Sequence, residues 1–206
     1  MLIYREAELA DLPEIREINT YYILHTSLTF MRSPPPLEKY ESKWHDLKAR
    51  RLPFLVAIDD TVSSGDKAGV VGYTSLSPFR GHLLSYAPTV ELSLFVHPGH
   101  QSRSIGSNLL SQILELINSG KVYHSVEELH DDQETGVEEA IQVNAPSQVR
   151  NVIAVMARDP EGMDSGEALR RWYIRRGFVE RGRLEKVGFK RGYWIDTVYL
   201  QYSNFL

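Results

Sequence analysis

Cysteine is absent from all 206 residues. That removes disulfide staples, thiolate metal ligands and cysteine nucleophiles from consideration together. Also missing is any apolar run approaching the ~18 residues that a membrane-crossing helix needs. The opening Met1-Leu2-Ile3-Tyr4-Arg5-Glu6 has no basic stretch followed by an apolar one, so it lacks the pattern of a secretory leader. The seven histidines show no ligand spacing on one element, and no metal is expected. Together these absences point to a soluble cytoplasmic protein with no membrane partner.

What is present is enough to fold. Hydrophobic residues make up 42% and charged residues 24%, a composition that supports a sizeable core, and the length fits one domain over 1–206. The net charge of −4 is unevenly spread. Between Ser125 and Val149 there is no Lys or Arg, yet seven Asp and Glu residues fall there. We read 121–150 as an acidic insertion, with most of 126–140 an excursion on the surface and at most a short helix at Ser125 to His130. Near the C-terminus the bias reverses, from Arg170 to Arg191. Basic helix residues without base-stacking motifs are poor evidence for nucleic acid, and none is expected as a partner.

Leu2 to Glu6 reads as a strand. Asp11 is a plausible N-cap, with Pro13 in the first turn and Glu14 completing a capping box. Leu12, Ile15, Ile18, Tyr22 and Ile23 recur at helical spacing to about Leu24. Leu37 to Arg51 reads as a second helix. Phe54 to Ile58 and Gly69 to Leu76 form a hairpin, and Thr89 to Val96 is a further strand stopped by Pro98 and Gly99. Ile105, Leu109, Leu110, Ile113, Leu114 and Ile117 make a helical stripe. Asn151 to Ala157 is a strand, Gly166 to Arg176 a helix, and Phe178 to Leu184 and Tyr193 to Tyr202 are closing strands. This order predicts an α/β (α+β) fold around a mixed sheet flanked by helices.

The most informative junction runs from Leu94 through Ser107, a strand that passes through small residues into a helix. A helix start offers unpaired backbone N–H groups and the positive end of its dipole, which suits a pyrophosphate, and Arg103 could add charge. An ordinary strand-to-helix turn is the plain alternative. Glu91 lies mid-strand among apolar residues, where it is either a solvent-facing residue or a general base whose pKa is raised by burial. Arg80, after Ser77-Pro78-Phe79, could clamp a substrate carboxylate with its planar fork. Tyr22, Phe30 and Trp194 could wall a small-molecule pocket, although aromatic residues also build cores.

The block Gln101-Ser102-Arg103-Ser104-Ile105-Gly106-Ser107 resembles the acyl-CoA pyrophosphate loop of the GNAT acetyltransferases, written Q/R-x-x-G-x-G/A, with Ser104 in place of the first glycine. The chain is similar in particular to the phosphinothricin acetyltransferase branch. The likeness is carried by Ala10 to Ile15, Val70 to Arg80, Thr89 to Pro98, Arg175 to Gly182 and Val187 to Asp196. It implies a GNAT-like fold and acetyl-CoA as cosubstrate. Pyrophosphate would lie on Gln101 to Ser107 and pantetheine would pair with Leu94, Phe95 and Val96. The acceptor it implies is a small amine, an amino acid or an analogue such as phosphinothricin or methionine sulfoximine. It further implies that Glu91 acts as base, that Tyr173 protonates the departing thiolate, and that the protein is a homodimer. The lack of cysteine favours direct transfer over an acyl-enzyme. A non-catalytic domain that binds acyl-CoA or a protein partner is the alternative.

Overall fold

The computed structural model describes residues 1–62, 69–81, 83–125 and 146–205. Its main sheet has seven strands: β1 (Leu2–Glu6), β2 (Phe54–Asp59), β3 (Val70–Pro78), β4 (Thr89–Val96), β7 (Asn151–Arg158), β8 (Val179–Lys190) and β9 (Tyr193–Ser203). They lie in the order β1-β2-β3-β4-β7-β9-β8. Every pairing is antiparallel except β4 with β7. A separate pair, β5 (Tyr123–His124) and β6 (Ser147–Gln148), joins Tyr123 to Gln148 and His124 to Ser147. The sequence reading left these two strands inside the acidic insertion. They form because Val122 and Val149 beside them are drawn into the core. The expected surface excursion at 126–140 and nearly all of the expected short helix lie outside the described residues.

The helices are α1 (Leu12–His25), α2 (Leu37–Ala49), α3 (Ile105–Asn118) and α4 (Glu167–Ile174). Strand alternation decides which face of the sheet each one covers. In β4, Phe95 stacks with Tyr22 of α1 at 5.1 Å between ring centroids, so Glu91, Ser93 and Phe95 face α1 and α2. Leu94 and Val96 point the other way, onto the first turn of α3. The apolar stripe of α3 is buried there, with Ile105, Leu109, Leu110, Ile113 and Ile117 at most 1% exposed. Full burial of each such side chain contributes about 1.5–3 kcal/mol, which makes this stripe a large part of the core.

The expected Asp11–Glu14 capping box at the start of α1 does not form: Asp11 closes a capping box with Glu8 one turn earlier, and Glu14 bonds to a distant strand. Asp11 stands at the N-cap, but its carboxylate accepts from the Glu8 N–H at 2.8 Å and from both terminal nitrogens of Arg5 at 2.6 and 2.8 Å. Glu14 reaches across to the start of β3, where it accepts the N–H groups of Gly69 and Val70 at 3.2 and 3.0 Å. Local spacing matched a cap. The tertiary partners won because a buried carboxylate gains more from charged and multiple donors than from one helix amide. Before α4, Gly166 takes φ +84, and a Cβ there would sit 2.9 Å from the backbone N and O of Asp159. Only glycine fits that approach.

Candidate active site

Strands β4 and β7 are paired only from Thr89–Asn151 to Glu91–Ile153. Beyond that point they part. Strand β4 stays joined to β3 as far as Val96–Gly72, while β7 stays joined to β9 along its whole length. The parting leaves one edge of Leu92 to Val96 without a ladder partner and opens a cleft of about 800 Å³ between the strands. Ala154 to Ala157 of β7 line one side of it, and Glu91, Leu94, Phe95 and Val96 of β4 line the other. Tyr22 closes the wall: its hydroxyl donates to the Val96 carbonyl at 2.6 Å and accepts from Gln101 Nε2 at 3.0 Å.

At the wide end of the cleft stands the start of α3. Gln101, Ser102, Ser104, Ile105, Gly106 and Ser107 all line it. The first helical bond is donated by the Asn108 N–H to the Ser104 carbonyl, so the three amides before it have no partner inside the helix. No side chain among the described residues caps them. Ser102 and Ser104 both adopt the left-handed backbone, at φ +62 and +60, and so take the conformation that the glycine of the family motif would reach without strain. Arg176 braces the helix start from α4. Its guanidinium donates to Ser107 Oγ at 2.6 Å and to the Trp172 carbonyl at 2.9 Å, while stacking 3.9 Å from the Trp172 ring centroid.

Three ionisable groups lining the cleft have shifted proton affinities, and burial raises the first of them, the Tyr22 phenol. Burial raises the Glu91 carboxyl above its ordinary value, and the Lys43 ammonium pulls it partly back. Burial pushes the Tyr173 phenol up to about 12. Tyr173 is packed edge-on between Trp172 and Phe178, and it is therefore a protonated hydroxyl at neutral pH. Glu91 can take a proton and Tyr173 can give one.

Of the expected site residues, Glu91, Tyr173, Tyr22, Phe30, Leu94, Phe95, Val96 and the loop from Gln101 to Ser107 except Arg103 are brought together. Arg103, Arg80 and Trp194 are not among the residues lining the cleft. The Arg103 guanidinium is held by the Asp59 carboxylate at 2.8 Å and by His100 Nδ1 at 2.7 Å. Arg80 is exposed in the turn after β3, at φ +60. Trp194 is 61% exposed at the start of β9, stacked on Phe189. Sequence reading missed Leu169 and Trp172 of α4 and Thr29 of the α1–α2 loop, which also line the cleft. The only signal for the first two was their helical proximity to Tyr173.

A mixed sheet, flanking helices and a cleft between its two parallel strands define an α/β protein with a ligand-sized site where those strands part. The chain belongs to the acetyltransferase (GNAT) family, whose match runs over residues 18–138. It is similar to the L-methionine sulfoximine/L-methionine sulfone acetyltransferase of Pseudomonas aeruginosa, with 27% identity over 199 residues, 96% of this chain and 91% of that one. The phosphinothricin N-acetyltransferase of Alcaligenes faecalis is 24% identical over 191 residues, 93% of this chain and 77% of that one. Among solved structures, a phosphinothricin acetyltransferase from Sinorhizobium meliloti in complex with AcCoA aligns with TM-score 0.72 and 25% identity, covering 98% of this chain and 88% of the other.

Proposed function

We propose that this protein is an acetyl-CoA-dependent N-acetyltransferase that acts by direct transfer on the amino group of a small, amino-acid-like acceptor. The observation that carries this reading is the pairing, in one cleft, of a carboxyl with raised proton affinity and a phenol that stays protonated. The fit to the cosubstrate is supported by the open edge of Leu94 to Val96, which can hydrogen-bond an extended amide chain, and by the free amides at the start of α3, which suit a pyrophosphate. Acetyl-CoA supplies an activated thioester.

Glu91 removes the proton that the amine loses as its nitrogen bonds to the acyl carbon, directly or through a water. Tyr173 gives its proton to the sulfur as the carbon–sulfur bond breaks, and the phenol is restored from solvent. Positioned proton transfers of this kind contribute typically 10²–10⁴-fold each. The relatives named for amino acids and their analogues support the acceptor class.

Two coarser features complete the proposal. The absence of cysteine supports a cytoplasmic setting, and no helix among the described residues is long and apolar enough to cross a membrane. Exposed Val179, Leu184, Val187, Phe189 and Trp194 on the β8–β9 hairpin support a homodimer. A screen of amino acids for thiol release from acetyl-CoA tests the activity. Acyl-CoA binding with no thiol release across the screen would instead support the non-catalytic alternative.

A further inference from the structure

A second cavity, of about 240 Å³, lies beside the cleft on the α1–α2 face of the sheet. Thr29, Ser93 and Phe95 line both, so the two spaces adjoin across β4 next to Glu91. The character of the smaller one is set by α2. Lys39 and Lys43, four residues apart and thus on one helix face, both line it, and its described lining contains no carboxylate. Tyr40 and Asn19 close the back, the Tyr40 hydroxyl donating to Asn19 Oδ1 at 2.7 Å.

Lys43 is the unusual member. Its ammonium, like that of Lys39, makes no hydrogen bond or ion pair with any described residue, while the third lysine of this helix, Lys48, is paired to Glu6 at the surface. Burial lowers its proton affinity, and the charge of Glu91 opposes this. Lys43 is half-buried and lines the cavity with Glu91 as its opposing charge, and an anion seated there would offset the remaining desolvation cost.

We propose that Lys43 reads the carboxylate of the acceptor, so that the smaller cavity is the acid-binding subsite of the acceptor pocket and Lys43 is the residue that selects amino acids over simple amines. The inference rests on the acetyl-transfer reading above for its acceptor class, and on the cavity and its unpaired cation for its location. Sequence singled out Arg80 for this task, but Arg80 is exposed and is not among the residues lining either cavity. The placement also couples selection to chemistry. Lys43 now holds down the proton affinity of Glu91, and a carboxylate paired with Lys43 neutralises that influence. Glu91 thereby becomes a stronger base when an acid-bearing acceptor is in place.

The test compares L-methionine sulfone with its carboxamide, by calorimetry in the presence of CoA and by thiol release from acetyl-CoA. Wild type should favour the acid over the amide at least tenfold. Lys43→Met should collapse that ratio toward one, and Lys43→Arg should keep most of it. Lys43→Gln serves as a second neutral variant if the methionine variant does not fold. The proposal is overturned if the neutral variant keeps the wild-type ratio, if both ligands weaken in parallel, or if wild type does not discriminate between them or binds neither. Calorimetry separates the two readings. Discrimination through Lys43 without thiol release removes the transferase reading and keeps the subsite. Thiol release with an unmoved ratio does the reverse.

Discussion

The Arg103 guanidinium lies 2.8 Å from the Asp59 carboxylate, at the end of β2 and turned to a protein partner. The Asp59 side chain is nearly inaccessible, and hydrogen bonds from Thr61 together with Arg103 hold its pKa down to about 2. In the unfolded chain an aspartate titrates near ~3.9. The folded value is the lower one, so the stabilising contribution is complete above pH ~4 and is lost as pH falls toward 2. Arg103→Ala should therefore lower the thermal midpoint at neutral pH and leave CoA affinity nearly unchanged. The gap to wild type should narrow as pH is lowered below 4. Calorimetry with CoA and melts across pH check both, and a large loss of CoA affinity would return Arg103 to the cosubstrate site.

Glu91→Gln and Tyr173→Phe should each lower turnover by on the order of 10²-fold or more, the usual scale of positioned proton transfer, with little change in CoA affinity. Because burial raises the Glu91 carboxyl, the acidic limb of the kcat/KM profile should lie above the ordinary carboxylate range. In Lys43→Met the opposing charge is gone, so that limb should move to still higher pH when the amide acceptor is used. A limb that stays in place would separate Glu91 from the proton that is titrated.

Gly188 of β8 leaves room for the ring of Phe30. A Cβ at Gly188 would fall 2.0 Å from Phe30 Cε1, so Gly188→Ala must expel the ring. Phe30 is 43% exposed, and the stability cost should be small, while acceptor KM should change because Phe30 lines the cleft. In a Phe30→Ala background the Gly188 substitution should be nearly silent. A double-mutant cycle with no coupling in KM would refute this link.

Ser104 stands at φ +60 directly before α3. A left-handed L-residue costs roughly 1–2 kcal/mol, and glycine gives back part of that as unfolded-chain entropy, so Ser104→Gly should gain about 0.5–1 kcal/mol. CoA should bind at least as tightly as to wild type. Denaturant midpoints and calorimetry read the two effects separately, and a destabilised variant would count against the strain argument.

The acidic stretch leaves the described fold at Ser125 and returns at Pro146, and its two ends are joined by the β5–β6 pairing. Replacing 126–145 by a short Gly-Ser linker should preserve folding and acetyl-CoA KM, since loop length costs only about 0.6 kcal/mol per doubling. Loss of folding, or a marked change in KM, would show that the acidic residues take part in the fold or in the cleft.

Much of the architecture was legible in the sequence because it is written in local periodicity. The α3 stripe and the alternation along β4 each specify one buried face, and Pro, Gly and Asn mark where the elements stop. The loop from Gln101 to Ser107 and the carboxyl at Glu91 could be singled out as candidates from one strand and the turn that follows it, and the fold brings Glu91 and most of that loop to one cleft. Charge partners could not be found this way. Asp11 and Glu14 have the spacing of a cap, but Asp11 bonds to Glu8 and Arg5 and Glu14 to β3. Arg103 sits in the loop before α3 and pairs with Asp59, 44 positions earlier in the chain. Lys43 reads as one more cation on an amphipathic helix until the fold sets it in the lining of a cavity and within the influence of Glu91. Hydrophobic burial leaves a repeating trace along the chain, whereas the partner of a charge is chosen by where the folded strands and helices bring distant segments together.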